Sequence, residues 1–151
     1  MIAPKVIEFL VGREETFLTP ANQLAVLVDT HNIDHAKLLL CNMAYSRVPV
    51  VTEDNRFFGS IGLREIMSYQ SLNNLTDDEL NQDISLIAKT DVETVPEQYR
   101  LEEVLRKLVD EPFLPVVGDN REFLGIITRK SILKAVNALL HSSHFHTEHI
   151  E

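Results

Sequence analysis

The sequence predicts an α/β (α+β) fold. Two copies of one strand–helix–strand–strand–helix unit lie in pseudo-two-fold arrangement, each a small three-stranded sheet with two helices. Three observations predict it. The first is a repeat. Val48-Pro49-Val50-Val51 returns as Leu114-Pro115-Val116-Val117, and Phe58-Gly59-Ser60-Ile61 returns as Leu124-Gly125-Ile126-Ile127. Pro49 to Pro115 and Gly59 to Gly125 are both offset by 66 residues, so no gap separates the matched blocks. The second is alternation: β-rich runs are followed by segments of helical period. The third is size. The 151 residues can bury a sizeable core, but one copy cannot bury its apolar face alone.

The elements follow in order. Residues 4–12 predict a short N-terminal helix. Leu24 to Val28 is a β-rich run bounded by polar residues, hence a strand. Asp34 to Ala44 is helical, with Ala36, Leu39, Leu40 and Met43 on one face. Val48 to Val51 is a buried strand, residues 52–56 a turn, Phe57 to Ile61 the return strand and Leu63 to Tyr69 a helix. The second copy places a strand at Val92 to Val95, ended by Pro96. A helix follows at Leu101 to Asp110, with Leu101, Val104, Leu105 and Leu108 on one face. Then come strands at Leu114 to Val117 and Glu122 to Ile127 around a turn, and a helix at Arg129 to Leu140. The helix-to-strand joint reads two residues shorter in this copy. Five segments result: an extension over 1–13, a first unit over 14–70, a linker over 71–84, a second unit over 85–141 and a His-rich tail over 142–151. In the linker, Thr76 and Glu79 have capping-box spacing, which predicts a short helix.

Composition narrows the function. The net charge of −9 argues against nucleic acid or an anionic membrane as partner, since both select a basic surface. No run approaches a membrane span, and the start, with Glu8, does not read as a signal peptide, so a cytoplasmic protein is expected. Cys41, the one cysteine, sits in an apolar helical pattern and reads as a buried small hydrophobe.

The apolar-Pro-Val-Val strands at 48–51 and 114–117 and the glycine turns at 59–62 and 125–128 resemble the CBS domain. The tandem resembles a CBS pair, or Bateman module, over nearly the whole chain. Three stretches are similar, more narrowly, to the stand-alone CBS proteins of Gram-positive bacteria that bind cyclic di-AMP. They are Glu15-Thr16-Phe17-Leu18-Thr19-Pro20-Ala21, Val48-Pro49-Val50-Val51-Thr52 and the run from Gly125 to Leu140.

The resemblance implies nucleotide pockets built by both copies. The first takes Gln23, Leu24 and Ala25, then Tyr45, Ser46, Arg47 and Val48, then Thr128, Arg129, Lys130 and Ser131. A second, weaker pocket takes Gly62 and Glu65 with Val95 and Leu114. In the first, the Tyr45 ring can lie against a base, and Arg47 and Arg129 can fork onto phosphate oxygens. The helix start at Thr128 favours an anion. The second has no clear cation and holds an acid, Glu65. AMP- and ATP-binding pairs usually carry Asp three residues after the Thr, where this chain has Ser131. A 3′–5′ cyclic dinucleotide has no free 3′-hydroxyl for that acid, and its phosphodiester would be repelled by it, so Ser131 beside two cations suits cyclic di-AMP.

The expected function is therefore a non-catalytic receptor without a cofactor, binding cyclic di-AMP and regulating a partner. The resemblance implies an alarmone synthetase/hydrolase or pyruvate carboxylase as that partner. It also implies a homodimer through helices 63–70 and 129–140, which are apolar on more than one side. A sensor of AMP, ADP or ATP and a structural dimeric adaptor with vestigial pockets are the alternatives. Plainer roles compete at each residue: Val48, Pro49, Val116 and Val117 as core, Thr128 as an N-cap, Arg47 as a surface arginine. His31 and His35 lack a third metal ligand at credible spacing, and the tail histidines read as a solvated terminus. No nucleophile–base motif stands out, so no enzyme is expected. Arg129→Ala is expected to abolish ligand binding while leaving unliganded stability within about 0.5 kcal/mol, as for an ordinary surface change.

Overall fold

A computed structural model describes residues 4–11, 17–43 and 46–141. Its elements, in chain order, are α1 (Pro4–Val11), β1 (Leu18–Pro20), β2 (Leu27–Val28), α2 (Ile33–Asn42), β3 (Arg47–Val51), β4 (Phe57–Gly62) and α3 (Leu63–Asn73). After the linker come β5 (Val95–Pro96), α4 (Leu101–Leu108), β6 (Phe113–Val117), β7 (Phe123–Thr128) and α5 (Arg129–Leu140). The chain divides into two compact units. One comprises residues 1–22, 93–116 and 124–151; the other comprises 23–92 and 117–123.

The 23–92 unit is built on a sheet of order β2-β3-β4. Its centre is Val-Pro-Val-Val, and a central proline needs explaining because it cannot donate to a ladder. Pro49 stands opposite Ser60, whose N–H and C=O both bond instead to Lys89, at 2.9 and 2.8 Å. That pair exchanges no bonds, and β2 reaches β3 only at Val50 and Val51. The missing N–H therefore costs nothing. The core packs Val48, Val50 and Ile61 of the sheet against Ile33, Ala36 and Leu40 of α2 and Ile66 of α3.

The linker is part of this core. Leu80 and Ile84 are buried in it, and short 3-10 turns lie at Asp77–Glu79 and Ile84–Leu86. The capping-box spacing is realised: the Thr76 N–H donates to Glu79 Oε1 at 3.2 Å. The linker also caps α2, since Ile33 N–H donates to the Gln82 carbonyl and Asp34 N–H to that of Leu80, both at 2.9 Å. Helix N-termini leave such donors orphaned, and here the following segment satisfies them. Lys37 Nζ closes the arrangement by donating to Gln70 Oε1 (2.8 Å) and Asp77 Oδ1 (2.7 Å).

The other unit carries a sheet of order β1-β7-β6-β5, with a core of Phe17, Val95, Val104, Leu108, Leu114, Val116, Ile127 and Ile132. This sheet has four strands where three were expected. The additional one, β1, pairs antiparallel with β7, Leu18 opposite Ile127 and Pro20 opposite Gly125. Gly125 makes the approach possible. Its φ is +153°, and a Cβ there would lie 2.2 Å from the Thr19 carbonyl oxygen.

Other expectations need correction. The first strand of each copy is two residues long, Leu27–Val28 and Val95–Pro96. Residues 24–26 pair with nothing in a ladder, and Pro96 is admitted because β5 is an edge strand, where a missing donor is harmless. Helix α3 runs on to Asn73, where Asn74 ends it in the left-handed conformation that asparagine tolerates. Cys41 is exposed, because the buried face of α2 is Ile33, Ala36 and Leu40 and Cys41 points elsewhere. The joint is not shorter: four residues separate α2 from β3 and four separate α4 from β6, and the two-residue difference lies in the helices, α2 having 10 residues and α4 8.

Gly125→Ala should cost about 3 kcal/mol, combining backbone strain with overpacking. The thermal midpoint should fall by about 10 °C; a loss under about 3 °C would show that β1 yields freely. A second prediction concerns Asp77. The Lys37 hydrogen bond, helped by Gln70, holds its carboxyl below the ordinary aspartate range. What the contact contributes is present above the ordinary aspartate value and fades as pH falls through the depressed one. An NMR titration of Asp77 should show a low midpoint that rises toward normal in Lys37→Ala; an unchanged midpoint would contradict the assignment.

Candidate functional site

Arg47 opens β3 and stands opposite Gly62, the last residue of β4. Its Nη1 donates to Ser60 Oγ at 2.8 Å and meets Glu65 Oε1 at 2.5 Å. The same Glu65 oxygen accepts the Gly62 N–H at 3.2 Å, so the carboxylate also caps α3. Ser60 is 1% exposed and fixed by its Lys89 backbone pairing. The ion pair is largely out of solvent, with side chains 22% and 16% exposed. Such a pair is retained only with good hydrogen-bond geometry, which Ser60 and Gly62 supply. Gly62 is required by close approach, since a Cβ would lie 2.7 Å from the Ser46 carbonyl oxygen and 3.6 Å from Arg47 Nη2. With Nη1 spent on two acceptors, Nε and Nη2 are left. That edge has no partner among the described residues, and it is the edge that grips two oxygens of a phosphate or carboxylate.

Arg129 behaves differently. Its Nε donates to the Leu108 carbonyl at 2.7 Å and its Nη2 to that of Val109 at 3.0 Å. The fork is thus closed on the C-terminus of α4, where helix carbonyls concentrate negative charge. The start of α5 is also largely satisfied. Thr128 Oγ1 accepts the Ser131 N–H at 3.0 Å, and the Ser131 hydroxyl donates back to the Thr128 carbonyl at 2.8 Å. The Arg129 N–H donates to the Pro112 carbonyl at 3.3 Å. Thr128 is therefore an N-cap in this state, and Lys130 is exposed beside it.

The expected site residues fall into both units. Gln23 and Ala25 are exposed, Leu24 is half-buried, Ser46 is exposed and Val48 belongs to the core; these lie with Arg47 in the 23–92 unit. Thr128, Arg129, Lys130 and Ser131 lie in the other unit, and Tyr45 lies outside the described residues. Of the weaker set, Gly62 and Glu65 meet each other and Arg47, while Val95 and Leu114 are buried core residues of the other unit. The sequence reading placed Arg47 and Glu65 in separate pockets and missed their ion pair. It also missed Ser60, the buried polar residue that anchors the arginine. The signal was available in the hairpin register, which sets Arg47 opposite Gly62, three residues before Glu65.

His31 and His35 do meet, with ring centroids 5.2 Å apart, but His31 Nδ1 is occupied by the Val28 N–H. Among the described residues no group of three or more His, Cys, Asp or Glu side chains could hold a metal ion, and no helix is long and apolar enough to cross a membrane. The tail over 142–151 lies outside the described residues.

Comparisons with known proteins place the chain. The family model described as the CBS domain matches residues 22–72 and 83–138. A crystal structure of a CBS domain protein from Streptococcus pneumoniae TIGR4 is 59% identical, with a TM-score of 0.87 over 91% of this chain and 95% of that one. A structure of CbpB in complex with c-di-AMP is 42% identical, with a TM-score of 0.84 over 97% of this chain and 99% of that one. The cyclic di-AMP receptor B of Bacillus subtilis (strain 168) is 27% identical over 140 residues, 91% of this chain and 93% of its own length.

One prediction replaces the expectation of neutrality at Arg129. Arg129→Ala removes two charge-assisted hydrogen bonds in a partly exposed setting, so the unliganded protein should lose about 1 kcal/mol. Urea unfolding measures it; a change below about 0.3 kcal/mol would mean that the clasp on α4 contributes nothing in solution.

Proposed function

This chain belongs to the CBS-domain family and carries two CBS domains, and on that premise we propose that it is a receptor for cyclic di-AMP that acts without catalysis. The observation that carries the reading is Arg47: a guanidinium anchored through one nitrogen, with its two-pronged edge unpartnered among the described residues. A phosphodiester oxygen pair is the group that edge fits. The relatives supply the ligand, since a protein 42% identical over nearly the whole chain is described in complex with c-di-AMP.

In this reading Arg47 takes one phosphodiester and Tyr45 lies against an adenine. For Arg129 to take a phosphate it would have to exchange its α4 carbonyls for phosphate oxygens, an exchange that Ser131, being neutral, does not oppose. Gln23, Leu24, Ala25, Ser46 and Lys130 complete the contacts. Glu65, assigned from sequence to the weaker pocket, is ion-paired with Arg47. The liganded state then acts through a separate protein that binds one state better than the other, as coupling requires. Large apolar side chains stand exposed on both helices proposed for a homodimer: Met67 and Leu72 on α3, Leu133 and Leu140 on α5.

Thermal melts with separate nucleotides test the proposal. Cyclic di-AMP at about a hundred times its Kd adds roughly 2.7 kcal/mol, a rise of roughly 5–10 °C at this size. AMP and ATP at equal concentration should give much smaller shifts, and Arg47→Ala should abolish the cyclic di-AMP shift. Equal shifts with AMP or ATP would make the protein a mononucleotide sensor, and no shift with any nucleotide would make it an adaptor.

A further inference from the structure

Glu65 sits where an acid is hard to justify in an anion site. Its carboxylate meets Arg47 Nη1 at 2.5 Å, it is only 16% exposed, and the Gly62 N–H fixes it from the other side. We propose that Glu65 is a built-in counter-anion for Arg47, which both aims the arginine and holds down its affinity for an anionic ligand. The inference rests on the reading above that Arg47 contacts a phosphodiester.

The aiming follows from two fixed partners. Nη1 donates a hydrogen bond to Ser60 Oγ and is ion-paired with Glu65 Oε1. Neither acceptor can wander: Ser60 is held by Lys89 on both backbone groups, and Glu65 by the first turn of α3. The guanidinium plane is therefore set before any ligand arrives, and its Nε/Nη2 edge is set with it. The damping follows from charge. A ligand anion on that edge meets a cation already shared with a carboxylate on its far side, in a place poorly screened by water. Two like charges some 6–7 Å apart at an effective dielectric constant of roughly 20 to 40 oppose each other by roughly ten- to a hundredfold in Kd. The site is thus pre-aimed but deliberately weakened, a combination that sets a threshold concentration for occupancy.

Substitutions at Glu65 separate the two effects. Glu65→Gln keeps an oxygen for Nη1 and for the Gly62 N–H and removes only the charge. By titration calorimetry with cyclic di-AMP it should bind at least about tenfold more tightly than wild type, with a steeper loss of affinity as salt is raised. Glu65→Ala removes the anchor as well and should bind at least several-fold more weakly than Glu65→Gln. Glu65→Gln binding no tighter than wild type, while Arg47→Ala loses binding, would overturn this proposal alone. Arg47→Ala binding normally would overturn the phosphodiester reading and this proposal with it. If circular dichroism shows that Glu65→Gln does not fold, the Glu65 carboxyl carbon resonance of the wild-type protein decides. A displacement that saturates with cyclic di-AMP supports the counter-anion, and a stationary resonance overturns it.

Discussion

A three-stranded sheet with two helices is too small to close over its own apolar face, and each unit meets that constraint with residues from outside its repeat. In one, Phe17 precedes every repeated element yet has no exposed surface, and the strand after it completes the sheet. In the other, Leu80 and Ile84 come from a stretch that reads as polar linker, and the same stretch caps α2. Because these additions seal the cores, the β3–β4 and β6–β7 hairpins can be short. Helices α3 and α5 can then begin directly at the hairpin ends, where the charged residues of interest are placed.

The two arginines show how local chemistry divides a role that sequence assigns equally. Both are polar residues at the rim of an apolar strand or helix. Arg47 is held through one nitrogen by side chains, which leaves its gripping edge open. Arg129 is held through that edge by carbonyls at a helix end, so engaging a ligand means releasing α4. Of the two cations, one has its gripping edge open and the other would first have to leave the end of α4.

Much of the fold was legible because it is periodic. The α4 and α5 faces, the Pro-Val-Val strands and the turns between hairpin strands all follow from spacing, and the two-residue difference between copies was legible although it lies in the helix and not in the joint after it. What did not follow was short or non-periodic. Leu18-Thr19-Pro20 has too few residues to alternate and ends in a breaker, so β1 was invisible. The run from Leu24 looked like a strand because its composition is right, although only its last two residues find a neighbour. Cys41 was misplaced because composition was read where the helical angle decides. At the site, the residue types were legible and the partnerships were not: hydrogen bonds from Arg47 to Ser60 and from Arg129 to Leu108 depend on side-chain directions that no spacing rule specifies.

The pairing of β1 with β7 joins Leu18 to Ile127, 109 positions apart in a sequence of 151 residues. During synthesis the early segment emerges first and must wait for its neighbour, while Phe17 and Leu18 remain wet. The buried core residues of the other unit all lie between Leu27 and Ile84, ahead of β7 in the chain. Its companion sheet cannot close until β7 has been made, so the first of its four strands to emerge waits longest for its neighbour.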